Sequence, residues 1–322
     1  MRLTNNMLSE NYLKNLNSTL EQLNNSNTRL AAKRKYMRFA DDPSTALKAM
    51  KIRKDLTRIE VYTKNLTDVN GILDQYETSV SNINDLVKEA VAQVMQGSTG
   101  TSGSSVGRTV ANTLRGYQES ILAAANAKYA DDYIFGGDEV GEPPFTIGSS
   151  GELLYKGQNV DTETFSEEYR YIDIGLGLNY DASGNLTSKA AFNIANSGAE
   201  LLGFGVDANG VSNNLYNLLG QIADKLESGD TSDLELYTQK LNDSAEQIRL
   251  QYVNIGEKSN YVSYMKDRLE AEKINASQKQ NDLEVLDTAL GIIEFSELEF
   301  AYNACLSMGS KLLQPSLLDY LR

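Results

Sequence analysis

Histidine and tryptophan are missing from this chain of 322 residues, cysteine occurs once and proline four times. Without histidine the chain loses the commonest general base and metal ligand at neutral pH, and with it every Ser-His-Asp or Cys-His arrangement. A single cysteine, Cys305, forms no internal disulfide and no thiolate zinc site. Scarce cysteine suits a cytosolic protein, and equally an exported one that does not rely on oxidative folding. No apolar run approaches the roughly 20 residues that span a bilayer; Ile121–Ala125 is among the longest. The opening Met1–Asn6 leads into no apolar stretch, so no cleavable signal is expected. Basic residues are the minority, 30 against 44 acidic ones, for a net charge of −14. That balance argues against nucleic acid as a partner. Hydrophobic residues reach 41%, a little lean for one large core.

What is present is heptad spacing. Leu13, Leu16, Leu20, Leu23, Asn27 and Leu30 recur at steps of three and four, as along the seam of a coiled coil. Near the other end Leu283, Leu286, Leu290 and Ile293 do the same, followed by Glu297 and Phe300. A shifted stripe follows through Leu298, Ala301, Cys305, Met308 and Leu312, stopped by Pro315. Between these ends, Asp42 and Pro43 mark a helix start. The helix runs on through Leu66, Val69, Leu73, Tyr76, Val80, Ile83 and Val87 to about Met95. A Gly/Ser loop, Gly97–Gly107, precedes a further helix over Val110–Lys128. From Gly136 to about Gly210 the pattern changes to short alternating runs and turns. Strands are predicted at Glu152–Lys156, Thr162–Phe165 and Arg170–Ile174, and a hairpin turn at Asp181–Asn185. Helix returns at Asn214, and a long one starts at Leu234, with an interruption expected near Gly256.

The fold class expected is mainly α: an elongated helical bundle built from both ends of the chain, with a small β-rich insert. The expected divisions are an N-terminal coiled-coil segment over 1–45, a discontinuous helical domain over 46–134 and 212–282, the insert over 135–211, and a C-terminal coiled-coil segment over 283–322. Both end segments are expected to be flexible in the isolated monomer. A lone amphipathic helix is marginal in water, so the two ends must find each other or neighbouring subunits.

Several stretches have a sharper and a plainer interpretation. The basic cluster from Lys33 to Arg38 and on through Lys48, Lys51, Arg53, Lys54 and Arg58 is taken as a solvated or intersubunit helix face, not a nucleic-acid or membrane patch. Asp207–Gly210 lacks the bidentate glutamate of a calcium loop and is taken as a turn. Cys305, between Ala301 and Met308, is taken as a small core hydrophobe. No catalytic residue, cofactor or metal is expected.

The layout resembles the flagellin superfamily, and within it the proteins that join hook to filament. The resemblance is carried by Met1-Arg2-Leu3-Thr4-Asn5-Asn6-Met7 through Leu16-Asn17, by Ala40-Asp41-Asp42-Pro43, and by Ala124-Ala125-Asn126 leading to Tyr133-Ile134-Phe135-Gly136-Gly137. Pro143-Pro144-Phe145, then Tyr155-Lys156-Gly157, and the ending Leu312 to Leu321 complete it. It implies a structural subunit of the bacterial flagellum, exported without a cleaved signal and located outside the cell. The implied partners are a hook-side junction protein, flagellin, copies of the chain in a ring, the filament cap, and an export chaperone on the C-terminal segment. Membrane insertion is not implied. Flagellin itself and a secreted adhesin-like module using the insert are the alternatives. The expected subunit seam is Leu13, Leu16, Leu20, Leu23, Leu30, Leu283, Leu286, Leu290, Ile293, Phe300 and Leu312.

Overall fold

The computed structural model describes residues 5–98, 104–149, 151–177, 191–230 and 233–312. Seven helices and seven short strands are present among them, and the chain is mainly α. The helices are α1 (Asn5–Ala32), α2 (Pro43–Ser98), α3 (Ser104–Ala125), α4 (Gly198–Leu202), α5 (Leu215–Ser228), α6 (Leu234–Glu284) and α7 (Thr288–Leu312). The strands are β1 (Lys128–Tyr129), β2 (Asp132–Tyr133), β3 (Phe145–Ile147), β4 (Leu153–Tyr155), β5 (Gln158–Asn159), β6 (Tyr171–Ile172) and β7 (Phe192–Asn193). The chain divides into two compact units, residues 1–58 with 271–322, and residues 59–270. The boundaries fall inside α2 and α6, and the β segments lie within the second unit. No described helix is long and apolar enough to cross a membrane.

The second unit has a closed core. Along α2, Leu66, Val69, Leu73, Tyr76, Val80, Ile83, Val87, Ala90 and Val94 alternate at steps of three and four, and all are 0–1% exposed. Each fully buried aliphatic side chain of this kind contributes roughly 1.5–3 kcal/mol. α6 presents Leu241, Ile248, Ile255, Val262 and Leu269 at intervals of seven, again buried. The helix is continuous through Gly256, contrary to the expected interruption. One glycine costs an interior helix only about 1 kcal/mol, which the buried stripe on either side outweighs. α3 and α5 pack against each other, with the Arg115 guanidinium bonded to Asp224 at 2.9 Å and Glu227 at 2.7 Å. Asn214 caps α5 through its side-chain oxygen, which accepts from the Tyr216 and Asn217 N–H groups, and Gly229 ends the helix at φ 76°.

The sheets are all antiparallel. β1 pairs with β2, β3-β4-β5 forms a meander, and β6 pairs with β7. In the meander Phe145 faces Tyr155 and Ile147 faces Leu153. Two expected strands are present in shorter form, but Thr162–Phe165 is not a strand. Phe165 there is half-buried and stands edge-on to Tyr155 and to Phe204, at 5.2 and 5.5 Å, while the Glu163 N–H donates to the Asn159 carbonyl in a turn at 3.2 Å. The expected turn at Asp181–Asn185 lies outside the described residues. At Asp207–Gly210 the Asp207 carboxylate accepts from the Asn209 and Val211 N–H groups at 2.8 and 2.9 Å, a plain turn.

Candidate assembly surface

The first unit is an antiparallel pair, α1 against α7. Its register is fixed at both ends. Leu30 lies beside Gly291, and Tyr12 beside Gly309, eighteen residues further along each helix in opposite directions. A Cβ on Gly309 would meet the Tyr12 hydroxyl at 2.1 Å, and one on Gly291 would meet Leu30 at 3.2 Å. Both glycines are buried, and they let α1 approach closely.

The turn between α1 and α2 clamps this pair. The Arg34–Val285 bridge, with Lys35 N–H donating to the Glu284 carbonyl at 2.9 Å, ties the end of α1 to the end of α6. The Arg53 guanidinium reaches the Glu284 carboxylate at 2.7 Å and holds it below the usual carboxylate range. Arg29 pairs with Glu294 across the helices. The Asp41 carboxylate accepts from the Arg38 and Met37 N–H groups at 2.8 and 3.0 Å, which lowers its pKa. Asp42 accepts from the Thr45 N–H at 3.0 Å and caps α2. Asp287 does the same for α7 through Ala289 and Leu290.

The contact seam on α1 is Tyr12, Leu16, Thr19, Leu23, Ser26 and Leu30, none of them exposed. On α7 it is Gly291, Phe295, Leu298, Tyr302, Cys305 and Gly309, likewise. Of the residues expected on a seam, Leu16, Leu23 and Leu30 therefore sit between the two helices. Leu13 and Leu20 sit on the neighbouring stripe and are 53% and 45% exposed. Leu283 and Leu286 are half-buried. Leu290, Ile293 and Phe300 point outward, with 64%, 55% and 77% of their surface in solvent. The Leu312 side chain lies outside the described residues. Cys305 is half-buried on the seam. Sequence reasoning missed Tyr12, Thr19 and Ser26 because two heptad phases share Leu16, Leu23 and Leu30, and the leucine-rich phase looked better. The glycines at 291 and 309 were the available signal.

The pair thus has one closed face and a second apolar face left open. Beside it lies a groove lined by Asn17, Leu20, Glu21, Leu23, Asn24, Asn27 and Phe295.

In the second unit, the Tyr-Ile-Phe-Gly-Gly segment anchors the insert. Phe135 stands edge-on to Tyr76 at 5.1 Å. The Tyr76 hydroxyl donates to the Ile134 carbonyl. Gly137 has φ 62°, and a Cβ there would fall 1.5 Å from the Glu168 carboxylate. Glu168 accepts from the Tyr155 hydroxyl at 3.0 Å and from Lys156 Nζ at 2.6 Å. Asn126 bonds both the N–H and the carbonyl of Phe145, at 3.0 and 2.9 Å, which fixes Pro-Pro-Phe to the end of α3. No group of three metal-ligating side chains occurs among the described residues.

The first unit pairs the two helical ends, and the second closes a core that carries a small antiparallel insert. Residues 3–139 match the family described as the bacterial flagellin N-terminal helical region. The fold is similar to that of solved flagellar hook-associated proteins. One from Vibrio parahaemolyticus is 17% identical, with a TM-score of 0.62 over 76% of this chain and all of its own. Flagellar hook-associated protein 3 of Legionella pneumophila is 10% identical, with a TM-score of 0.58 over 73% of this chain and 98% of its own. FlgL of Bacillus cereus is 18% identical, with a TM-score of 0.53 over 72% of this chain and 99% of its own. No curated protein matches the chain by sequence.

Proposed function

We propose that the chain is a structural subunit of the bacterial flagellum that forms the junction between hook and filament and gives flagellin a platform on which to assemble. The observation that carries this is the α1–α7 pair, closed on one face and openly apolar on the other, within the fold of hook-associated proteins. Copies of the chain form a ring through that open face, with a hook-side junction protein below and flagellin above. The subunit acts outside the cell and catalyses no reaction. The filament cap meets it during assembly, and an export chaperone holds residues 283–322 before export through the flagellar secretion route, without a cleaved signal. Ordering the ends only on assembly spares the cell premature polymers, because the ordering entropy is met when the seams find partners.

Deleting the gene and imaging the cells tests this, with flagellin assayed in the medium. Bare hooks with flagellin lost to the medium are expected. Filaments of normal length would refute the junction role and favour an adhesin; bare hooks with no flagellin protein anywhere would make this chain the flagellin. At the residue level, Leu16→Asp and Leu286→Asp should each block assembly while the second unit melts as in the parent chain.

A further inference from the structure

The chain's charge is unevenly placed. Residues 33–58 hold nine of its 30 basic residues and three of its 44 acidic ones, so this stretch carries +6 while the remainder carries −20. Large apolar side chains stand among these charges. Met37, Phe39, Leu47 and Met50 are 43–60% exposed. On α2, Leu47, Lys51, Lys54 and Arg58 recur at steps of four, three and four and share a stripe, with Met50 beside it. Lys51 and Lys54 make no ion pair among the described residues.

The outer face of α7 is the converse. From Thr288 to Ser310, α7 carries three acidic residues, Glu294, Glu297 and Glu299, and no basic one. Leu290, Ile293, Glu297 and Phe300 lie on one stripe, while Ile292 and Glu299, seven residues apart, share another side of the helix. All six are exposed. Glu297 and Glu299 make no ion pair among the described residues, whereas Glu284 and Glu294 already hold Arg53 and Arg29. Each face therefore has apolar surface to bury and unmatched charge of one sign.

We infer that the basic apolar face at residues 37–54 of one copy docks on the acidic apolar face of α7 in the next copy. This inference rests on the junction-ring function proposed above and names its contact. The two faces differ, so the contact is heterologous: every copy offers one face and receives the other, and copies chain head to tail around the ring. Burying Leu47 and Met50 against Ile293 and Phe300 supplies the hydrophobic gain. Lys51 and Lys54 opposite Glu297 set register and suppress docking of like faces.

A full-length chain carrying Cys305→Ser, Met50→Cys and Ile293→Cys, expressed in place of the parent, tests the pairing. Isolated hook–filament structures are treated with a short bis-maleimide and blotted. A ladder of dimer, trimer and larger species is expected, and none from chains carrying either new cysteine alone. Monomer only, in structures that contain the protein, would overturn the pairing and leave the junction role standing. Dimer from a single-cysteine chain would show like faces meeting and also overturn it. Absence of the parent protein from the isolated structures would overturn the junction role itself, and this inference with it. A second arm uses charge. Lys51→Glu with Lys54→Glu is expected to cut the fraction of filamented cells about tenfold, since like charges then face each other. Adding Glu297→Lys to the same chain is expected to restore much of it. No restoration would contradict the assigned partners.

Discussion

The two units use the same heptad spacing to different ends. In the second unit the stripe on α2 from Leu66 to Val94 is sealed, and every member is at most 1% exposed. In the first unit the seam between α1 and α7 is only half-buried along most of its length, and a second apolar stripe beside it is open. A sealed stripe satisfies itself, and its helices need no further partner. An open one leaves hydrophobic free energy uncollected until another surface arrives. On the function proposed above, the contrast separates a part of the molecule that folds on its own from a part completed by assembly, and it sets what each substitution should do.

The largest effect belongs to the sealed core. Leu73→Ala removes a side chain with no exposed surface and should lower the stability of the second unit by about 2–5 kcal/mol in urea unfolding. The equivalent change at exposed Leu290 should leave the isolated monomer nearly unchanged. Equal losses at the two sites would erase the distinction. Gly137→Ala comes next. It places a side chain at φ 62° against the Glu168 carboxylate and should cost the second unit about 1–3 kcal/mol. Thermal melting followed by tyrosine near-ultraviolet signal checks this.

The smallest effect is electrostatic and confined to the first unit. Arg53 lowers the pKa of Glu284 below its ordinary value of 4.5. A depressed folded-state pKa gives stability that is present above the unfolded value and lost as the pH falls through the folded one. Arg53 is half-exposed, so screening limits the pair to about 1 kcal/mol. Glu284→Gln should therefore weaken the helix pair slightly at pH 7 and flatten its loss of helicity below pH 4.5, leaving the second unit alone. Circular dichroism across an acid titration reads both.

Much of the architecture was legible in the sequence. The α2 stripe declared itself because strong hydrophobes fill every position from Leu66 to Val87. The start of α2 was legible because Asp42 and Pro43 are a cap and a first-turn residue with a shared mechanism. The phase of the terminal seam was not. Its contact positions include Thr19, Ser26, Gly291 and Gly309, small residues chosen for close approach, while the leucines at 13, 20 and 290 belong to the open face. Hydrophobicity identifies the stripe that most needs burying, and in an assembling protein that need not be the stripe the monomer buries. The insert was hard to delimit because its strands are two or three residues long, too short for an alternation to register. Its order comes from side-chain anchors, Asn126 on Phe145 and Glu168 on Lys156, which no local pattern announces.

Native-state hydrogen exchange of the full-length monomer at low concentration tests the central claim most directly. Amides along residues 66–94 and 241–269 should exchange only through global opening of their unit. Amides along residues 5–32 and 288–312 should exchange orders of magnitude faster, and slow down once the protein is in the flagellum. Protection of α1 and α7 in the monomer equal to that of the α2 core would mean that the terminal helix pair is complete by itself, and would contradict the account.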